Sequence, residues 1–202
     1  MLHIDIFYSD GYKCDASGET IDSFSDNRPS SPEGNVLEVM AVYPLHGGVC
    51  ATAFRRHVAL EHGIWFDKSF NLATDWDFFI RMAEHVKFGY IDKPTGRYRL
   101  HAASISATLP DDRRHYHAII QLRIIEKPYF THFALTTKWT IFYQLLLLWL
   151  WDQPQQQQSV FDKVQFRDLP AESRAELLRL VASKYILDSQ HIEFATQCLE
   201  KS

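Results

Sequence analysis

Apolar and polar residues alternate from Ile4 to Tyr8 and give way to Ser9-Asp10-Gly11, a pattern that predicts an opening strand closed by a turn. A second turn cluster follows at Asp15-Ala16-Ser17-Gly18. The polar stretch from Asp22 to Asn35, with Pro29, Pro32 and Gly34, predicts a long loop, and loops of that length inside a compact domain usually carry function or move. Val36 to Tyr43 is apolar, but its periodicity does not separate strand from helix. It runs into Pro44-Leu45-His46-Gly47-Gly48, where paired glycines permit close backbone approach. A second apolar run, Val49 to Phe54, precedes a short helix from Phe54 to His62 that Gly63 closes. The clearest helix start in the chain is at Thr74. Trp76, Phe79, Ile80 and Ala83 recur there at helical spacing, and Phe78 and Met82 widen the apolar face, so this helix is expected to be well buried. Phe88 to Ile91 and Arg97 to Leu100 read as two strands separated by the turn Asp92-Lys93-Pro94-Thr95-Gly96.

From about Asp112 the period becomes helical, so the α/β portion is expected to span 1–110, with a helical extension over 111–152. Within it, the segment from Trp139 to Trp151 is shorter than the ~20 apolar residues a membrane-spanning helix needs, and Gln144 interrupts it. The expectation is a buried or interfacial helix, with peripheral membrane contact through its tryptophans as the other reading. Gln153-Pro154 and the glutamines after it suggest a low-complexity linker over 153–167. A helix pair is expected over 168–202, with Leu177, Leu178, Val181 and Tyr185 on one apolar face and Ile192, Ala195, Cys198 and Leu199 on the other.

Composition narrows the function classes. A chain of 202 residues, 46% hydrophobic and 23% charged, can bury a real core. Its net charge of -4 gives no global basic field, which argues against nucleic acid as a partner. Cys14, Cys50 and Cys198 are odd in number and widely spaced, so neither a disulfide framework nor a zinc knuckle is expected. No secretory signal is visible in the first residues, and a cytoplasmic protein, with membrane association at most on the cytoplasmic face, is the natural expectation.

Two places carry candidate chemistry. Thr74-Asp75-Trp76-Asp77 sets two carboxylates in the first turn of an apolar helix. In one reading Thr74 caps the helix, Asp77 completes a capping box, and the negative charge gains about 0.3 to 1 kcal/mol from the helix N-terminus. In the other, Asp75 faces a cleft as a general base for a hydroxyl nucleophile. The two are compatible. Asp75-Trp76-Asp77 is also a literal Asp-x-Asp, but a chelating pair belongs on a flexible loop more readily than at a buried helix start. The second place is Tyr98 to Ser106, where Arg97, Arg99 and His101 alternate onto one side of a strand as it exits into a loop. Such an edge suits a diphosphate, and the plain alternative is an ordinary exposed strand face. His46, His57 and His62 lack the spacing of a zinc site.

Taken in chain order, these segments resemble the second half of family 2 glycosyltransferases of the GT-A type. The resemblance rests on Tyr8-Ser9-Asp10, the small-residue loop at His46-Gly47-Gly48, Phe54-Arg55-Arg56, and Gly63-Ile64-Trp65-Phe66-Asp67 in place of a Gly-x-Phe-Asp turn with one extra residue. It continues through Ala73 to Asp77 in place of a Glu-Asp motif and ends at Tyr98 to Ser106, similar to Tyr-Arg-x-His-x-x-Ser-x-Ser. It covers about residues 4 to 106. It implies a partial GT-A-like mixed sheet with flanking helices, followed by the α-helical C-terminal region.

The same resemblance implies an inverting transfer of sugar from a nucleotide-sugar donor to an acceptor hydroxyl, on a glycan or another molecule, with Asp75 as catalytic base. His46, Gly47, Gly48, Thr74, Trp76 and Asp77 would contact substrate, and Arg99 with His101 would approach the donor diphosphate or its metal. Thr74 stands where the family usually has glutamate. Family members also carry a nucleotide-binding half with an Asp-x-Asp that binds Mg or Mn. Neither feature is read in this sequence, which leaves His101 as the one residue placed near that ion. From this follow the expectations of a truncated enzyme, inactive alone, and of a partner chain covering an incomplete sheet. The alternative is a noncatalytic glycan-binding or scaffold protein derived from such an enzyme.

Overall fold

Strand β1, Ile6–Cys14, organises the first half of the chain because both of its edges are paired. In the computed structural model, which describes residues 4–27, 30–45, 49–104, 110–186 and 191–202, the chain falls into two compact units, Met1–Arg113 and Arg114–Ser202. The first is a mixed α/β unit and the second is helical. Along one edge of β1, β2 (Thr20–Ser23) pairs antiparallel with its C-terminal part and β3 (Thr52–Phe54) with its N-terminal part. Along the other edge, β4 (Phe88–Arg99) runs parallel over the whole length of β1. The sheet is therefore mixed, as expected.

The turn expected at Asp92–Gly96 is instead part of this single twelve-residue strand. Ser9 lies opposite Ile91, Asp10 opposite Pro94 and Gly11 opposite Gly96, so Asp92, Lys93 and Thr95 are absorbed as bulges. Turn-forming residues only propose a reversal locally, and here the open edge of β1 offers ladder hydrogen bonds that keep the chain extended. Pro94, which has no N–H to donate, sits at the bulge, where strands tolerate proline. Two glycines make the close packing possible. A Cβ on Gly11 would lie 2.5 Å from the Phe24 ring and 2.8 Å from the Gly96 carbonyl oxygen, and one on Gly96 would lie 2.7 Å from the Cys50 carbonyl oxygen.

Among the described residues, three α-helices lie wholly within this unit. The apolar run at Val36–Tyr43, ambiguous by its pattern, forms α1 (Leu37–Val42), which buries Met40 and Ala41. Helix α2 (Arg56–Glu61) ends as expected at Gly63, whose φ of 63° is the left-handed conformation glycine adopts without strain. Helix α3 (Thr74–Ala83) buries Trp76 through Ile80, Met82 and Ala83, in line with its apolar periodicity. The Trp76 indole N–H donates to the Met40 carbonyl at 2.8 Å and so locks α3 to α1.

The second unit contains the rest of α4 (Pro110–Ile125), α5 (Leu135–Gln144), α6 (Pro154–Phe161), α7 (Val164–Arg167), α8 (Ala171–Tyr185) and α9 (Ile192–Glu200). After Gln144 the backbone widens into a π-helical turn, Leu145–Trp149, closed by the Leu150 N–H on the Leu145 carbonyl at 2.9 Å. Ile141, Phe142, Leu145, Leu146 and Leu147 are buried, so this apolar segment is core of the unit. No helix among the described residues is long and apolar enough to cross a membrane.

The segment expected to be a glutamine-rich linker is α6 and α7, and the reason is one residue. Gln157 is 0% exposed, and its amide donates to the Leu146 carbonyl at 2.6 Å, inside the π-helical turn. Its Oε1 lies 3.1 Å from the Tyr185 hydroxyl of α8. A widened turn disturbs the regular backbone ladder, and Gln157 supplies a polar partner from a neighbouring helix. Gln157→Leu is expected to lower the urea unfolding midpoint and cost about 1 to 3 kcal/mol, because the Leu146 carbonyl is left buried without that donor. Gln155→Leu, on the exposed side of the same helix, serves as the control and is expected to change little.

Candidate functional site

The start of α3 is built differently from the predicted cap. Its N-cap is Ala73, which holds φ 56° and ψ 18°, and no side chain caps the helix. Left-handed backbone costs a non-glycine residue roughly 1 to 2 kcal/mol, and strain of this kind is concentrated at functional sites and switches. Thr74 is already inside the helix, and its hydroxyl donates back to the Phe70 carbonyl at 3.4 Å. The capping box does not form. Asp75, half-buried, accepts the N–H of Trp76 on Oδ1 at 2.9 Å. Its carboxylate thus sits among the N–H groups of an α-helix N-terminus, where negative charge is favoured.

The neighbouring carboxylate has the opposite environment. Asp77 is 2% exposed, and its Oδ2 accepts from Arg81 Nε at 3.0 Å and Nη2 at 2.5 Å. The same Nη2 donates to the Trp65 carbonyl at 2.7 Å. Asp77 is therefore the inner end of a clamp that ties α3 to the loop between Gly63 and Asp67. Neither Asp77 nor the buried Trp76 is placed to touch a substrate arriving from solvent, which corrects the substrate contacts expected of both. The clamp itself was readable as an Asp/Arg pair at i, i+4.

The segment after His46, Gly47 and Gly48, which themselves lie outside the described residues, packs on the sheet. Ser9 is buried in β1, with its hydroxyl 3.3 Å from the Ala51 carbonyl and 2.5 Å from Thr95 Oγ1 in the β4 bulge. These contacts, with the close approach of Gly96 to the Cys50 backbone, hold Cys50 and Ala51 against the sheet. Partial burial pushes the Cys50 thiol above its ordinary pKa, a backbone hydrogen bond opposes this, and the Asp75 carboxylate adds to the rise by opposing a second negative charge. Asp75 and Cys50 are therefore electrostatic neighbours, a pairing that nothing in their sequence spacing indicates.

That proximity gives a direct measurement. Asp75→Asn removes the opposing charge, lowers the Cys50 pKa and raises the thiolate fraction. Alkylation of Cys50 by iodoacetamide near pH 8 is expected to become faster. Cys14 and Cys198 are buried, so Cys50 supplies the fast phase. An unchanged rate would separate the two groups.

Arg97 turns to the β1–β2 connection, donating from Nη1 to the Gly18 carbonyl at 3.0 Å, with its guanidinium 5.9 Å from the centre of the Tyr12 ring. Arg99 lies opposite Cys14, the last residue of β1, and is exposed. His101 is exposed in the turn that follows, where its carbonyl accepts both the N–H and the hydroxyl of Ser104 at 2.9 and 2.8 Å. Ile105 and Ser106 lie outside the described residues. Among the described residues no group of three or more His, Cys, Asp or Glu could hold a metal ion. An Mg or Mn ion takes about six ligands, mostly oxygens, so His101 and its described neighbours would supply at most one of them. No family model matches the chain, and no curated protein matches it.

Proposed function

We propose that the first unit is the acceptor side of an inverting glycosyltransferase, with Asp75 as its general base. The observation that carries this reading is the contrast between the two carboxylates of one helix turn. Asp77 is buried and neutralised by Arg81, whereas Asp75 keeps a half-buried carboxylate at a helix start with no side-chain cap. A base needs that accessibility, and a structural carboxylate does not.

In the proposed reaction an acceptor hydroxyl gives its proton to the Asp75 carboxylate as its oxygen bonds to the anomeric carbon. The bond from that carbon to the diphosphate oxygen breaks, and its electron pair leaves with the nucleoside diphosphate. Attack from the opposite face inverts the anomeric configuration. In the family, donor and metal are held by the nucleotide-binding half, and no step is assigned to a metal on the described residues. The cytoplasmic setting belongs to the same proposal and rests on the odd number and wide spacing of the three cysteines.

The test expresses the longest product of the coding region that contains this chain and offers it a panel of nucleotide sugars with mono- and oligosaccharide acceptors. Expected is transfer with inverted anomeric configuration, read by proton NMR. Binding of saccharides without transfer from any donor would instead support the noncatalytic glycan-binding reading.

A further inference from the structure

Within the helical unit, the chain leading into α5 and the turn between α7 and α8 line a cavity of about 350 Å³. That volume lies at the lower end of the roughly 300 to 1,000 Å³ in which proteins hold small molecules. Its lining is apolar at Phe130, Leu135 and Leu169, of which Phe130 and Leu169 are buried and Leu135 is 47% exposed. Lys138 and Asp168 add one charge of each sign, and Gln165 adds an amide. The backbone that carries Asp168 is fixed. The Asp168 N–H donates to the Val164 carbonyl at 2.8 Å and the Leu169 N–H to that of Phe166 at 3.1 Å. Arg174 Nη1 reaches back from α8 to the Arg167 carbonyl at 2.6 Å and to the Leu169 carbonyl. Little order therefore remains to be gained there on binding.

Neither charge is matched inside the protein. The Lys138 ammonium donates to the Thr131 carbonyl at 2.6 Å and lies 6.0 Å from the centre of the Phe130 ring, so it is held at the cavity with donors to spare. Among the described residues it forms no ion pair, and the Asp168 carboxylate and the Gln165 amide have no hydrogen-bond partner. The basic neighbours of Asp168 are engaged elsewhere, Lys163 on Glu126 and Arg167 on Asp162. An ammonium and a carboxylate that line one cavity and do not pair with each other suit a molecule carrying both charges. A ligand with a single charge would answer only one of them.

We propose that this cavity binds a free amino acid with an apolar side chain. Its carboxylate pairs with Lys138, its ammonium with Asp168 and the Gln165 amide oxygen, and its side chain lies on Phe130, Leu135 and Leu169. A free amino acid brings both charges in a molecule small enough for the cavity, whereas a residue inside a peptide brings neither and a chain end only one. The site lies wholly in the second unit, and its occupancy needs neither a nucleotide sugar nor an acceptor. It therefore stands or falls apart from the transfer reaction proposed for Asp75.

The test is isothermal titration calorimetry of the full chain with leucine and phenylalanine, and with the one-charge analogues of phenylalanine, phenethylamine and 3-phenylpropanoate. At least one of the two amino acids is expected to bind with a Kd below about 1 mM, and each analogue of phenylalanine about tenfold more weakly than phenylalanine itself. Lys138→Met keeps the apolar stem and removes the ammonium. It is expected to weaken the amino acid about tenfold and to leave phenethylamine unchanged. Asp168→Asn is expected to weaken the amino acid and phenethylamine about tenfold and to leave 3-phenylpropanoate unchanged. Lys138 is half-buried and Asp168 exposed, and the analogue series on the unchanged protein carries the same test without any substitution. No heat from either amino acid at about 10 mM would overturn the proposal. So would equal binding of phenylalanine and its two analogues, or binding that neither substitution alters. A concentration-dependent dimer that Leu135→Glu abolishes, with no response to amino acids, would assign the cavity to a second copy of the chain and overturn it as well.

Discussion

Asp75→Asn is expected to lower sugar transfer by about 10² to 10⁴-fold, the range by which a positioned base assists proton transfer. The asparagine side chain keeps nearly the same shape, and its carbonyl oxygen can still accept the Trp76 N–H that the Asp75 carboxylate accepts at 2.9 Å. The helix start should therefore persist, with its favourable charge at the N-terminus lost, a stability change of only about 0.3 to 1 kcal/mol. The diagnostic pattern is a large fall in kcat with donor affinity little changed, since the carboxylate is proposed to act on the acceptor hydroxyl alone. Asp75→Glu should recover part of the rate, because the base is present but displaced by one methylene. Equal turnover in wild type and Asp75→Asn, in a product that transfers sugar, would remove Asp75 from the mechanism.

Arg81→Ala is expected to be the most damaging single change to stability in the first unit. It strips the partner from an Asp77 carboxylate that is 2% exposed, while the Arg81 side chain is itself only 28% exposed. Removing one member of a buried pair typically costs about 3 to 5 kcal/mol, since the remaining charge keeps its desolvation cost and loses that counterion. Against a total of about 5 to 15 kcal/mol for a domain, that is a large fraction. Loss of the bond to the Trp65 carbonyl adds to it and frees the loop that carries Trp65. Urea denaturation followed by circular dichroism measures the effect. Replacing both residues, as in Asp77→Leu/Arg81→Met, should recover most of the loss, because two apolar groups of similar volume leave no stranded charge. A midpoint for Arg81→Ala within error of wild type would show that the pair is solvated and that Asp77 is not a clamp.

Helix α3 was legible because every signal for it is local: the 3.6-residue spacing of Trp76, Phe79, Ile80 and Ala83 states a buried face without reference to the rest of the chain. The end of α2 at Gly63 was legible for the same reason. Strand β4 was not. Pro94 and Gly96 argue for a turn, and only the unpaired edge of β1 makes an extended, bulged path more favourable. The glutamine run failed as a linker for a related reason. Composition averages over residues, whereas one side chain, Gln157, found a carbonyl in a π-helical turn that the sequence does not announce. At the candidate site, the acidic helix start was visible, but the influence of the Asp75 charge on Cys50 joins residues far apart in the chain, which no local pattern announces.

The sequence by itself determined that an apolar helix begins near Thr74 with two carboxylates in its first turn, because helix periodicity is a property of neighbours along the chain. Residues two apart on a helix point about 200° away from each other, so the pair was bound to divide between two surroundings. Which member would be buried was settled only in the tertiary structure. Arg81 and the Gly63–Asp67 loop enclose Asp77, while Asp75 is only half-buried. Burial of a charge depends on what the rest of the fold brings to it, and that information lies in contacts between distant residues.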